Sequence, residues 1–249
     1  MRSIQTFSGL FLAILLIGPL WAQTEETQWF RGDLDFASKY VFRGLERAGA
    51  STQATGEFSR DNLRGGAWIN LPLAGGKGSE ADLNVAYSWQ ALSGMKWEAS
   101  ARQYWVGKVA ADGLRQSFEA GICAALAPFN GFTPSVAFYY DLRLHADTTQ
   151  VSLTRSIPLT GMGAFLDLNF FAGWVVGKNW RPDAPGPARS DGYSYWGADA
   201  NLPYRIGPHS TVVGGLHFTD ASGHSDANGP LVRSAGRNLW VTLGVSLDF

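Results

Sequence analysis

The sequence predicts an all-β fold: an antiparallel transmembrane β-barrel of about twelve strands, within bounds of about ten to fourteen. Three observations lead there. The segment Asn238 to Phe249 sets Leu239, Val241, Leu243, Val245, Leu247 and Phe249 on every second position, against Asn238, Thr242, Gly244, Ser246 and Asp248. Successive side chains of a strand point to opposite faces, so this is a ribbon with one apolar and one mostly polar face, Trp240 being the exception. About eleven more segments behave in the same way. Composition is the third observation: 13% of the chain is aromatic and only 16% charged, against roughly 25% charged in a soluble domain. Mean hydropathy is nevertheless near zero. No stretch after residue 22 approaches the ~18 apolar residues of a spanning helix, whereas alternating lipid-facing and lumen-facing residues average out in this way.

In chain order, Met1 and Arg2 precede an almost wholly apolar run, Phe7 to Ile17, and Pro19-Leu20-Trp21-Ala22 follows. This is the pattern of a secretory signal peptide cleaved near Ala22, and no Cys follows it to suggest a lipid anchor. Residues 1–22 are therefore expected to be a signal peptide and 23–249 a single barrel domain. Trp29 to Arg43 is the first strand, with Phe30, Leu34, Phe36, Tyr40 and Phe42 on the apolar face. Segments near Ala50 to Ser59 and Arg64 to Leu71 follow. Glu80 to Ala91 and Met95 to Gly107 alternate cleanly. The next five run near Arg115 to Ala127, Phe132 to Leu144, Thr148 to Ile157, Gly163 to Val176 and Gly192 to Tyr204, and Ser210 to Thr219 precedes the closing strand.

The connections sort by parity. Links after even-numbered segments are short, such as Arg60 to Leu63 and Leu92 to Gly94. Those after odd-numbered ones are mostly longer, such as Lys178 to Asp191 and Asp220 to Arg237. Gly44 to Gly49 and His145 to Asp147 break the contrast. Short turns on one side and long loops on the other are the habit of outer-membrane barrels, which places the chain in the outer membrane of a Gram-negative-type bacterium, among its lipids.

Two resemblances add to this. The closing strand ending in Phe249 resembles the C-terminal signature read by the barrel-assembly machinery. Ser38, Tyr40, Phe42, Arg43, Gly44 and Leu45, followed by Gly66, Trp68 and Asn70, resemble the opening of the TorF family of porins, a family defined by sequence. It departs from the usual pattern at Leu45-Glu46-Arg47. The resemblance implies an outer-membrane barrel of porin type.

The polar faces carry both signs. The expected lumen-lining residues are Arg31, Asp33, Asp35, Lys39, Arg43, Glu57, Asp82, Lys96, Glu98, Arg102, Glu119, Asp141, Arg143 and Asp167. Such charges either line a wet path that sorts solutes or pair across a narrow lumen and seal it. Arg43 is read either as part of that path or as the partner of an inward carboxylate. Gly44 supplies the positive φ of a hairpin exit. Trp29, Trp68, Trp89, Trp97, Trp105, Trp174, Trp180, Tyr193, Tyr195, Trp196 and Trp240 read as an interfacial girdle, with a sugar-stacking site as the alternative.

His145, His209, His217 and His224 are the candidates for a lipid hydrolase, but no nucleophile elbow, H-E-x-x-H or Cys/His cluster accompanies them. Asp220 to Asp226 is an oxygen-rich segment that either binds a cation or is simply solvated. Cys123 is a lone inward thiol. No cofactor, metal site or catalytic residue is expected, and a formal charge of −1 argues against a nucleic-acid partner. The residues favour a narrow porin-like channel for small hydrophilic solutes. A non-conducting scaffold or surface-binding barrel is the alternative, and a lipid hydrolase the third. Deleting Phe249 is expected to lower sharply the heat-modifiable folded protein recovered from outer membranes; an undiminished folded yield would show that Phe249 is no assembly signal.

Overall fold

The computed structural model describes residues 28–74, 78–91, 94–107, 116–178, 190–224 and 236–249; the expected signal peptide and Trp180 lie outside them. The strands are β1 (Gln28–Ala37), β2 (Tyr40–Phe42), β3 (Leu45–Ala48), β4 (Ser51–Arg60), β5 (Leu63–Pro72), β6 (Glu80–Ala91), β7 (Met95–Val106), β8 (Gln116–Ala125), β9 (Thr133–Asp141), β10 (Ala146–Leu159), β11 (Ala164–Lys178), β12 (Ser190–Gly207), β13 (Ser210–His224) and β14 (Arg237–Asp248). β1 and β4 to β14 form a closed antiparallel barrel of twelve strands; β2 and β3 form a separate two-stranded hairpin. The barrel meanders, each strand pairing with its chain neighbours, and β14 closes on β1 in the register Arg31 opposite Asp248 to Ala37 opposite Thr242. Beyond the ladder, the Phe30 amide donates to the Phe249 carbonyl at 3.0 Å and the Phe249 amide to the Phe30 carbonyl at 2.8 Å.

Alternation decides the two faces. Leu34 and Phe36 stand opposite Val245 and Leu243, and all four are exposed on the outside, Leu34 to 58%. The polar residues between them turn inward, where Asn238 is 4% exposed and Asn70 is fully buried. The short links 61–62, 160–163 and 208–209 gather at the end where the first strand begins and the last one finishes. Asp61 has a φ of 53°, the left-handed value that a two-residue hairpin turn demands. We call this the turn end and the opposite one the loop end.

The first strand departs from expectation. The ladder of β1 stops at Ala37, where the amide of Ser38 donates to the Val241 carbonyl at 2.9 Å and the Ser38 hydroxyl accepts the Val241 amide at 3.0 Å. The chain then leaves the wall and folds into the barrel as the β2–β3 hairpin. Arg43 and Gly44 form its tip, with φ of 50° and 79°, both positive as in a type I′ turn. Tyr40 and Phe42 were expected to face lipid; they lie inside, with the Tyr40 ring 5.2 Å from Trp68 and the Phe42 ring 6.2 Å from Tyr104. Period-two alternation continues through this segment, but it does not distinguish a wall strand from a strand folded inside the wall. The link between β1 and β4 is thus 38–50, longer than the expected Gly44 to Gly49.

Other expectations are corrected at the loop end. β13 runs on to His224, so Asp220, Ala221 and Ser222 belong to a strand and not to an oxygen-rich loop, and Asp220 pairs with Arg237 at 3.2 Å. The girdle is smaller than expected. The register turns Trp68, Tyr193, Tyr195 and Trp240 inward, since each alternates with exposed outward neighbours such as Ile69, Trp196, Leu239 and Val241. Trp29 also stands in the inward register of β1, while Trp105, Trp174 and Trp196 remain exposed outside.

Gly44 is a position at which a side chain is poorly tolerated. A Cβ there would meet the Tyr195 Cβ at 2.6 Å and the Ala221 Cβ at 3.1 Å. The left-handed backbone adds about 1–2 kcal/mol for any other residue, and overpacking typically about 1–3 kcal/mol. Gly44→Ala is expected to lower the free energy of unfolding by about 2–5 kcal/mol in reversible urea unfolding from lipid vesicles. An unchanged midpoint would mean that the tip is not seated.

Candidate functional site

The inward hairpin is the centre of the site, because its residues reach most of the wall. Tyr40 donates its hydroxyl to Glu80 on β6 at 3.2 Å. Arg43 reaches Glu119 on β8 with both terminal nitrogens, Nη1 to Oε2 at 2.7 Å and Nη2 to Oε1 at 2.9 Å. Its guanidinium also lies 4.8 Å from the Phe42 ring centre and 4.9 Å from that of Tyr139 on β9. The Tyr104 hydroxyl donates to the same Glu119 at 3.0 Å. On the other side of the tip, Gly44 sits against Tyr195 and Ala221, and Asn238 Nδ2 donates to the Gly44 carbonyl at 3.2 Å. At the base, Lys39 pairs with Glu46 at 2.9 Å and reaches Asn238 Oδ1 at 3.4 Å. Leu45, Val175, Tyr193, Tyr195 and Ala221 form a buried apolar cluster around the tip.

A planar guanidinium meeting a carboxylate through two parallel hydrogen bonds is directional as well as strong, so this pair fixes where the tip lies. Burial alone would lower the basicity of Arg43, but the Glu119 charge and its hydrogen bonds raise it above the ordinary arginine value, and the guanidinium stays charged.

The expected lining residues separate into groups. Arg31 pairs with Asp33 at 3.0 Å, and Asp248 is 4.0 Å away across the seam. Asp35 lies against Gly244 on the neighbouring strand. Arg64, which the sequence reading overlooked, links Glu57 at 3.6 Å with Glu98 at 3.1 Å, and Ser88 donates to Glu98 at 3.1 Å. Asp82, Lys96 and Arg102 stand in the inward registers of β6 and β7, with Arg102 5.8 Å from the Tyr104 ring centre. Asp167 holds the inward register of β11. Asp141 caps a turn: it accepts the Ser117 hydroxyl at 2.5 Å and the amides of Arg143 and Leu144 at 2.9 and 2.8 Å. Arg143 lies in that turn, exposed, and donates to the Gln116 carbonyl at 2.8 Å; it is not on a strand face. Cys123 holds an inward register on β8 and is half-buried.

On the turn-end side of the hairpin lies a cavity of about 370 Å³. Val41 to Gly44 form its roof. One wall is charged, built by Arg64, Glu98, Arg102 and Glu119 from β5, β7 and β8. Facing it, β11 to β14 supply Asn169, Phe171, Tyr195, Thr219 and Trp240. Along this second wall runs a chain across four strands. Asn169 donates to Asp199 at 2.9 Å, Asp199 meets His217 Nδ1 at 2.9 Å, and His217 Nε2 meets the Thr242 hydroxyl at 2.9 Å. The sequence names His217 as a hydrolase candidate; its partners are distant in sequence and adjacent only through the register.

The resemblance noted at the start of the chain maps onto this site. Ser38 to Leu45 make the hairpin entry, its first strand and its tip, and Trp68 is the wall residue against the Tyr40 ring. Asn70 accepts from Gln53 at 3.2 Å and donates to the Gly78 carbonyl at 2.8 Å.

No family model matches the sequence, and no curated protein does. Solved structures share the fold. The chain is similar to the NanC porin in a rhombohedral crystal form, at a TM-score of 0.52 and 10% identity, over 89% of this chain and 99% of that one. It is similar to the KdgM porin at a TM-score of 0.55 and 6% identity, over the same shares. The KdgM porin in complex with disordered oligogalacturonate aligns at a TM-score of 0.54 and 7% identity. At these identities the likeness is one of architecture: a single-chain, twelve-stranded outer-membrane-type barrel.

Removing one partner of a buried ion pair typically costs about 3–5 kcal/mol, because the other charge is left uncompensated. Arg43→Ala is therefore expected to speed amide hydrogen exchange at 40–48 by at least about a hundredfold, while amides of the barrel ladder stay protected. Uniform loosening of hairpin and barrel would show that the pair supports the whole fold and not the hairpin alone.

Proposed function

We propose that the chain is an outer-membrane channel of narrow bore, a porin for small hydrophilic solutes, with the β2–β3 hairpin as its constriction. The observation that carries this reading is the hairpin itself, folded into a polar lumen and bounded on its inner side by a charged cavity. A twelve-stranded barrel is wider than the small barrels that side chains fill and narrower than porins of 16 or more strands. An inserted segment then sets the effective bore. The apolar outside and the polar, hydrogen-bonded inside fit a wall between lipid and water. The three porin structures above a TM-score of 0.5 support the same architecture, and the TorF resemblance is consistent with it.

The lining is mixed in sign, with acids and bases paired on the same wall. Solutes should pass with modest ion selectivity, unlike the strong preference of a single-sign ring. A second reading has its own observation: the hairpin touches β5 to β9 and β12 to β14, contacts that favour a closed, non-conducting barrel whose loop end meets a partner. Lipid hydrolysis gains no support from His217, which faces inward, away from lipid.

Folded, purified protein in planar bilayers tests these readings. Ohmic single-channel conductance is expected. Changing Lys96 and Arg102 together to Glu should move the reversal potential under a salt gradient toward cation preference, since charges in a narrow wet path act over about 8–10 Å at physiological salt. Arg43 is left unchanged so that the hairpin stays docked. No conductance from wild type, with conductance appearing on Arg43→Ala, would favour the closed barrel. Conductance with an unmoved reversal potential would remove Lys96 and Arg102 from the path.

A further inference from the structure

The charged wall of the cavity holds a cation that its ion pairs do not use. Arg102 on β7 stands directly opposite Glu119 on β8, the cross-strand arrangement in which opposite charges ordinarily meet. Here they do not. Both oxygens of Glu119 are bound by Arg43 from the hairpin tip, at 2.7 and 2.9 Å, and Oε1 also accepts the Tyr104 hydroxyl at 3.0 Å. Among the described residues, Arg102 has no carboxylate oxygen within 4.0 Å. Its guanidinium lies 5.8 Å from the Tyr104 ring centre, and the residue is exposed and lines the cavity. The other two guanidiniums of the lining are taken, Arg43 by Glu119 and Arg64 by Glu57 and Glu98. On the facing wall, Asp199 is held by His217 and Asn169.

An exposed guanidinium without an ionic partner is the group that a solute carboxylate would meet, since its planar fork matches two carboxylate oxygens at once. Its neighbours suit an anion. Asn84 stands directly opposite Arg102 on β6, and Ser100 lies two residues before it on β7; both line the cavity and both offer a neutral donor. Each carboxylate of the lining is already partnered, so a cation placed beside Arg102 would find nothing to offset the like charge. The spare charge exists because the hairpin is docked. Were Arg43 withdrawn, Glu119 would be left facing Arg102 across the ladder, and the two would pair. A volume of about 370 Å³ is at the small end of ligand pockets, which run roughly 300–1,000 Å³, and limits the occupant to a small organic acid.

We propose that Arg102 binds the carboxylate of a small organic acid in this cavity, and that the Arg43–Glu119 pair keeps Arg102 available by occupying its cross-strand partner. The site deepens the channel reading and rests on it only in that the solute must reach the lumen.

The test is calorimetric titration of sodium gluconate into folded protein in uncharged detergent at low salt, with glucose as the neutral comparison, alongside bilayer recordings of the same preparations. Heat-modifiable gel mobility checks folding. Saturable gluconate binding is expected, weakened by about tenfold in Arg102→Gln, with glucose giving none. Arg43→Ala is expected to weaken gluconate to a similar degree although Arg102 is intact, and adding Glu119→Gln to it should restore most of the affinity. Should Arg102→Gln fail to fold, Arg102→Lys, which keeps the charge but not the fork, decides by a fall in affinity. Absence of saturable gluconate binding, unchanged affinity in the folded Arg102 variant, or equal binding of glucose would overturn the site. Unchanged affinity in Arg43→Ala, or no recovery in the double variant, would overturn its dependence on the hairpin. Calorimetry needs no conduction. Conductance without gluconate binding thus defeats the carboxylate site alone, and gluconate binding without conductance defeats the channel reading alone.

Discussion

In hydrocarbon, a backbone N–H or C=O without a partner costs several kcal/mol, and water is not there to replace it. A sheet edge exposes a whole row of such groups. The seam between β1 and β14 removes both edges at once, and the mutual hydrogen bonds of Phe30 and Phe249 extend it to the last residue. Once the sheet is closed, its alternation has only two destinations, lipid or lumen. Leu34, Leu239 and Val241 go outward, and Asn238, Asn70 and Glu119 go inward. The polar interior on which the proposed function rests is thus a consequence of closure.

A polar interior can hold a segment that lipid could not. The β2–β3 hairpin leaves its own outer backbone groups to the lumen and is anchored by side chains. Arg43 is suited to the tip because its planar fork matches the Glu119 carboxylate through two bonds while its faces lie against Phe42 and Tyr139. A lysine would offer a point charge without that orientation. Such a pair contributes more to position than to stability, since desolvating both charges offsets much of their attraction. Gly44 then brings the backbone of the tip within reach of Tyr195 and Asn238.

Much of the barrel was legible in the residues, and the part that was not has a physical reason. Alternation from Glu80 to Ala91 or from Asn238 onward reports which side chains share a face, because the strand period is independent of what surrounds it. The same signal misassigned Tyr40 and Phe42. Alternation persists after Ala37, while the partner strand changes from β14 to β3, a few residues ahead. The clue was Arg43-Gly44, a turn dipeptide with a charged first member, set where a wall strand would run on. The girdle was overestimated for a related reason: Trp68, Tyr195 and Trp240 are aromatic residues at inward registers, and composition does not carry register.

The sequence by itself determined a closed antiparallel barrel, its count of about twelve strands, the sorting of short and long links to opposite ends, and the face on which most charged residues stand. These follow from local periodicity and from the rule that lipid tolerates no unpaired edge. Only the tertiary structure decided that residues 40–48 fill the lumen instead of the wall, that Arg43 meets Glu119 and not a nearer carboxylate, and that Asn169, Asp199, His217 and Thr242 form one chain. Those contacts join residues far apart in sequence, and their geometry depends on the register and curvature of the finished barrel, which no single segment encodes.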